Sequence, residues 1–302
     1  MMGAALLAVL SLGSVGGAHL LSAARWTWRA PRIGIALWQA LGLCWGLSTI
    51  GALLGAAMLP YGRGVAGGLA GLPGDGAARL GVVNLAALLA AVTLTAVLLV
   101  MLAYAVVRVV GARRRHRALL ALVSRRDAAV PGTLVVDHPG AAAYCVPGVR
   151  SSKVVVSKGT LDLLDSGELA AVLAHERAHA RERHDLVLLP FASLRHVFPQ
   201  FGLVGRCLDA VELLIEMAAD DRARHGRPPR ELATALLRFA AARPGPAPRG
   251  ALGVANTPDI PVMARVNRLL EPESLPRATR AAAAAAVPVV AGLPLLLLVM
   301  PH

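Results

Sequence analysis

His175 and His179 flank Glu176 in the string His175-Glu176-Arg177-Ala178-His179. A helix turns about 100° per residue, so positions four apart stand on one face, one turn from each other. Two imidazoles so placed can grip one Zn²⁺, and the intervening carboxylate can take the proton of an attacking water. A catalytic zinc wants three protein ligands and one open position. The third ligand is expected from Glu216, in Glu216-Met217-Ala218-Ala219-Asp220. Glu216 and Asp220 share a helix face, so Glu216 can bind the metal while Asp220 holds a histidine ring by its outer nitrogen. Glu212, one turn earlier, competes for the ligand role, but only Glu216 has an aspartate partner in this arrangement. The pattern predicts a zinc peptidase with Glu176 as general base.

Other polar groups around the string have no assigned part. His184 stands five residues past His179, about 140° further around a continuous helix, so a ligand role is not expected. Asp185 is expected to fix the end of the histidine helix. The donor that stabilises the carbonyl oxygen is unassigned among His184, His225 and several arginines.

The element that must carry the histidines has its own signals. Asp165 can cap a helix that Glu168 supports three residues later. Leu169, Val172 and Leu173 give that helix an apolar face. Upstream, the runs Thr133 to Asp137, Ala142 to Val146 and Lys153 to Ser157 are separated by His138-Pro139-Gly140 and Pro147-Gly148, and read as a small antiparallel sheet. The run Lys153 to Ser157 is open to two readings, a strand that pairs with a substrate peptide or a buried strand. Downstream, Leu186 to Phe198 is too short and too charged to span a bilayer and reads as a membrane-apposed or core helix. A further helix is expected from about Gly202 to Arg224. Arg243 to Asn256 is rich in Pro, Gly and Ala and reads as a flexible loop, and Pro261 to Leu270 returns to a helical pattern.

The rest of the chain is unusually apolar. Of 302 residues, 56% are hydrophobic and 16% charged, with a mean hydropathy of +0.60. That composition points to a membrane protein. Four runs reach the roughly 20 apolar residues that a span needs: about 2–22, 33–59, 82–110 and 281–300. The first is expected to be retained rather than cleaved, because its positive charges follow the apolar run instead of preceding it. Arg25, Arg29 and Arg32 occupy the first loop, and Arg113, Arg114, Arg115 and Arg117 follow the third run. Only Arg63, Arg79 and Asp75 lie in the second loop. Positive charge gathers on the cytoplasmic side, so residues 111–280 are expected inside and both termini outside. The net charge of +13 is assigned to orientation and anionic lipid rather than to nucleic acid. Cys44, Cys145 and Cys207 show neither metal nor redox spacing, which fits a reducing compartment. The expected fold class is an α-helical membrane protein with four transmembrane helices and an α+β zincin-like (gluzincin) peptidase domain: membrane region 1–110, peptidase domain 111–280, fourth helix 281–302.

Together these residues resemble the BlaR/MecR antirepressor family of membrane zinc peptidases. The likeness runs through Ala143-Tyr144-Cys145-Val146-Pro147-Gly148, Lys153-Val154-Val155-Val156-Ser157, Glu168 to Glu176 and onward, the Glu216 string and Arg265-Val266. It covers roughly residues 110–280. The HtpX and CAAX-prenyl endopeptidase family shares both metal strings and is the near rival. The resemblance implies ligands at His175, His179 and Glu216, catalysis by Glu176, and cleavage of a transcriptional repressor, or of the chain itself, that relays an envelope signal. Those sensors carry an external penicillin-binding domain after the last span, whereas this sequence ends at His302, so direct β-lactam sensing is not expected. Two alternatives stand beside this reading: a quality-control peptidase for membrane proteins, and a non-catalytic membrane receptor or scaffold. A transporter is disfavoured because the spans hold almost no ionisable residue except His19.

Overall fold

The structure is a computed structural model, and it describes residues 2–62, 64–75, 80–126, 130–146, 148, 152–242, 252–253 and 259–299. In chain order the helices are α1 (Met2–Ser22), α2 (Pro31–Ala57), α3 (Gly64–Asp75) and α4 (Val82–Val123). Strands β1 (Ser124–Arg126), β2 (Thr133–Val136), β3 (Ala143–Val146) and β4 (Lys153–Ser157) follow. Then come α5 (Lys158–Leu163), α6 (Ser166–Arg181), α7 (His184–Val197), α8 (Gly202–Ala223), α9 (Pro229–Ala241), β5 (Leu252–Gly253), α10 (Asp259–Leu270) and α11 (Arg277–Val299). The chain divides into two compact units. Unit 1 is Met1–Ala103, Phe191–Val211 and Leu275–His302; unit 2 is Tyr104–Pro190 and Glu212–Ser274.

Four described helices are long and apolar enough to cross a membrane: Met2–Ser22, Pro31–Ala57, Val82–Leu122 and Arg277–Val299. They support a membrane protein. The basic segment expected after the third run is continuous with it in α4, a helix of 42 residues and about 63 Å. That is roughly twice the hydrocarbon thickness of a bilayer. The second loop contains a helix, α3, that the sequence pattern did not announce; Arg63 and Arg79 lie outside the described residues, as do residues 243–251 and 254–256 of the expected flexible loop.

In unit 1, α2 packs on both α1 and α11. Small residues permit the close approach: a Cβ on Gly51 would meet Leu298 at 2.8 Å and Leu7 at 3.1 Å, and one on Gly55 would meet Ala4 at 2.9 Å. Helix pairs in lipid depend on such packing because hydrocarbon gives no hydrophobic drive between helices. Ser11 and Thr49 add a hydroxyl pair at 2.7 Å. Trp38 meets Phe191 and Trp45 meets Phe198 edge to face, at 6.5 and 6.1 Å.

Unit 2 is built on a five-stranded sheet in the order β1-β2-β4-β3-β5. It is mixed rather than antiparallel, because β2 and β4 run parallel with Thr133 opposite Val154. A parallel pair cannot be closed by a tight turn, and β3 is inserted on the far side of β4 instead. Val154 and Val156 face a core formed with Val172 of α6, Leu236 and Phe239 of α9 and Val266 of α10, while Val155 faces Leu120, Tyr144 and Val146. Both faces of β4 are therefore covered. Its flanks are taken by β2 and β3, so Lys153–Ser157 is a buried strand and cannot accept a substrate strand.

Candidate metal centre

Helix α6 begins as its sequence predicts. Asp165 Oδ1 accepts from the Glu168 backbone N–H at 2.8 Å, and Glu168 Oε2 accepts from the Asp165 N–H at 3.0 Å. This reciprocal cap satisfies two of the helix's unpaired donors. Ala171 and Val172 anchor the inner face in the core, and that phase carries His175, Glu176 and His179 to full burial. Helix α8 brings Glu216 and Asp220 against them.

The convergence is tight. His175 Nε2 and His179 Nε2 stand 3.0 Å apart. Glu216 Oε2 lies 3.3 Å from His175 Nε2, and Glu216 Oε1 lies 3.4 Å from His179 Nε2. Zinc bonds of roughly 2.0–2.1 Å in a tetrahedron put neighbouring ligand atoms about 3.3 Å apart. These three residues form a group close enough to hold a metal ion, and the spacing fits that ion. Glu212 is exposed and is not part of the group.

Behind the ligands, Asp220 Oδ1 sits 2.9 Å from His175 Nδ1. Arg265, reached from α10, grips Asp220 with Nε and Nη2 at 2.8 and 2.7 Å and places Nη1 2.8 Å from Glu216 Oε2. The guanidinium is wholly buried. Sequence reasoning quoted Arg265 without giving it a role. Its signal is weak because nothing local marks an arginine that meets its partners 45 residues back along the chain.

His184 stands outside the ligand group, but not through the helical phase invoked for it. Arg183 adopts a left-handed backbone with φ 51°, which ends α6 and starts α7 at once. The turn folds His184 back so that its Nδ1 lies 3.0 Å from His179 Nδ1. The 140° argument assumed one continuous helix. Asp185 does not close α6; it stands in the first turn of α7, where its carboxylate accepts from Arg113 at 2.8 Å. His225 is exposed, with Nδ1 beside the Asp221 carbonyl at 2.6 Å.

The electrostatics reflect a dry, crowded site. Burial opposes charge on His175, but the Asp220 and Glu216 carboxylates outweigh it and raise its pKa to about 9. Burial lowers His179 to about 3, so its ring is neutral. Burial also pushes Glu176 up to about 8, against the pull of His175 and with the push of Glu216. Glu216 is held well below the ordinary carboxylate range because Arg265 overcomes the cost of its burial. The same guanidinium brings Asp220 to about 2.

Two observations bear on whether a metal suits this set. Without a metal the site balances its charge by holding protons: Glu216 and Asp220 stand against Arg265 and a protonated His175, while Glu176 is kept neutral, and a divalent cation bound by the group would take the place of those protons. Both carboxylate oxygens of Glu176 are buried with no side-chain hydrogen-bond partner among the described residues, and the Cys145 backbone eases their charge. Such a group fits a proton acceptor whose partner is the reacting water.

Residues 110–238 match peptidase family M48. The match covers less than half of the chain and supports a metallopeptidase, in a chain with helices apolar enough to span a membrane; it does not divide the BlaR/MecR type from the HtpX type. No solved structure matches the chain. The matched segment holds both metal strings but stops before α10, so Arg265 lies beyond it.

Proposed function

We propose that the chain is a membrane-anchored zinc endopeptidase of the zincin type. Its membrane region is 1–110 with a last span at 281–302, and its peptidase domain, 111–280, works at the cytoplasmic face. The observation that carries this reading is the meeting of His175, His179 and Glu216 at 3.0–3.4 Å beside the buried carboxylate of Glu176. His175, His179 and Glu216 would hold the metal. When bound, zinc supplies polarisation of the scissile carbonyl and acidity for the attacking water. Glu176 accepts the water proton and delivers it to the leaving amine nitrogen. Asp220 fixes the His175 ring through Nδ1, so that Nε2 presents its lone pair to the centre. Arg265 balances the charge of Asp220 and Glu216 and holds the two carboxylates in register.

The substrate proposed is a transcriptional repressor, cleaved in regulated proteolysis. This rests on the likeness to BlaR/MecR antirepressors in the strings around Tyr144, Val155 and His175. A quality-control role is the second reading, since the M48 match accommodates it equally.

The test is metal analysis of the purified full chain together with cleavage by Glu176→Gln. That variant is expected to keep one zinc and lose activity by about 10²- to 10⁴-fold. His175→Ala and His179→Ala are expected to lose the zinc as well. Normal cleavage by Glu176→Gln would overturn the assignment. A proteome comparison of wild-type and Glu176→Gln cells separates the substrates: one stabilised DNA-binding protein supports the repressor, and many unrelated membrane proteins support quality control.

A further inference from the structure

Unit 1 contains a cavity of about 280 Å³, walled almost entirely by carbon. Its lining includes Ser14 of α1, Trp38, Gly42 and Trp45 of α2, and Phe191 and Phe198 of α7. Ser14 already donates to the Leu10 carbonyl at 2.6 Å, so its hydroxyl makes no demand for water. An apolar cavity of roughly half this volume stays dry and takes an apolar guest. Trp38, 2% exposed, gives its ring to the wall.

The charge nearby is one-sided. Between α1 and α2, Arg25, Arg29 and Arg32 are all exposed. Arg25 lies 5.7 Å over the Trp28 ring, the aromatic and cationic pairing found at headgroup level. Asp75 and Asp209 are the only acidic residues in the whole of unit 1. Trp38 follows Arg32 by six helical residues, about 9 Å of rise. A phosphate held by the arginines would thus stand beyond the Trp38 end of the cavity, about that far along the helix axis.

We propose that this cavity binds one anionic diacyl phospholipid. An acyl chain fills the aromatic-walled space, and the headgroup phosphate rests on Arg25, Arg29 and Arg32. Basic pockets beside membrane helices select anionic headgroups in this way. The site is independent of the peptidase reading, since none of these residues belongs to the metal centre.

All four tryptophans lie between positions 26 and 45, which makes the test direct. The full chain carrying Trp26→Phe and Trp28→Phe is reconstituted in phosphatidylcholine bilayers, leaving Trp38 and Trp45 as reporters. Phosphatidylglycerol brominated on its acyl chains is titrated in, and brominated phosphatidylcholine in parallel. The anionic lipid is expected to quench at a mole fraction at least about fivefold lower, the factor that one arginine supplies at an anionic surface. Replacing Arg25, Arg29 and Arg32 by Gln is expected to bring the two midpoints together. Gly42 has no atom within 4 Å of an added Cβ, so Gly42→Phe fills the cavity and is expected to abolish the saturable quenching. Gly46 has equal room but does not line the cavity, and Gly46→Phe is expected to leave the quenching intact. Equal midpoints for the two headgroups in the unsubstituted site, or unchanged quenching in Gly42→Phe, would overturn the proposal. So would a cross-link from the cavity to a protein segment in place of lipid.

Discussion

Unit 1 and unit 2 are held together by opposite means. Unit 1 shows carbon on its outside: Val9, Leu12 and Leu20 of α1 and Val289 and Leu296 of α11 are more than half exposed. Its helices touch through small residues such as Gly51 and Gly55, and a hydrocarbon environment must supply the rest. Unit 2 turns this inside out. All but two of the 18 acidic residues belong to it, and at its centre an apolar shell encloses Glu176, Glu216, Asp220 and Arg265. The lesson is that unit 1 tolerates the loss of a polar side chain, while unit 2 depends on a balance of buried charge.

The largest expected effect attacks that balance. Arg265→Met removes the one guanidinium facing two carboxylates and is expected to destabilise unit 2 by about 3–5 kcal/mol, the usual cost of breaking a buried ion pair. Limited proteolysis of residues 104–190 and 212–274 reads the loss. Tryptophan emission reads unit 1 alone, because every tryptophan lies there. The contrast between the units breaks if that emission changes in step with the proteolysis. A smaller effect is expected for Asp220→Asn, which leaves His175 Nδ1 with a weaker partner. Metal affinity should drop by about 10- to 100-fold, measured by competition with a zinc-binding dye. An unchanged affinity would mean that Arg265 and not His175 is the real client of Asp220.

How much of this was legible in the chain follows the reach of each signal. The capping box at Asp165, the shared face of His175 and His179, and the pairing of Glu216 with Asp220 are local, set within one turn of helix, and could be read directly. The apolar runs were legible for the same reason, since length and composition define them. What escaped was non-local or broke a local rule. The parallel pairing of β2 with β4 depends on where β3 is inserted, which alternation cannot encode. Arg265 looks like any helix-face arginine until α10 docks. His184 is outside the ligand group, yet the left-handed turn at Arg183 voids the helical phase from which that was read.

A third effect is smaller again and depends on pH. With metal removed by a chelator, the Glu176 carboxyl is protonated in the folded chain up to about pH 8, against 4.5 for the free group. Between those values the folded state holds a proton that the unfolded state has released, so stability falls as pH rises. His175, raised to about 9 from 6.5, works in the same direction above pH 6.5. His179, lowered to about 3, opposes them only below 6.5. The slope due to Glu176 is at most about 1.4 kcal/mol per pH unit. Urea unfolding of unit 2 between pH 6.5 and 8 is expected to lose that share of its slope in Glu176→Gln. An identical slope in the variant would place the missing proton elsewhere in the site.

The smallest effect belongs to unit 1 and sharpens the contrast from the other side. Ser48 is as fully buried as any residue of the metal centre, yet among the described residues its hydroxyl has only the Cys44 sulfur one turn away, at 3.9 Å. Deleting it strands no charge and opens almost no space. Hydrogen bonds between groups within membrane helices average about 0.6 kcal/mol when removed, so Ser48→Ala is expected to cost no more than that. The thermal transition of Trp38 and Trp45 emission measures it, both residues lying on the same helix. A cost of several kcal/mol, on the scale of Arg265→Met, would mean that unit 1 is also pinned by buried polar contacts. The division between a unit held by its surroundings and a unit held by its own charges would then fail.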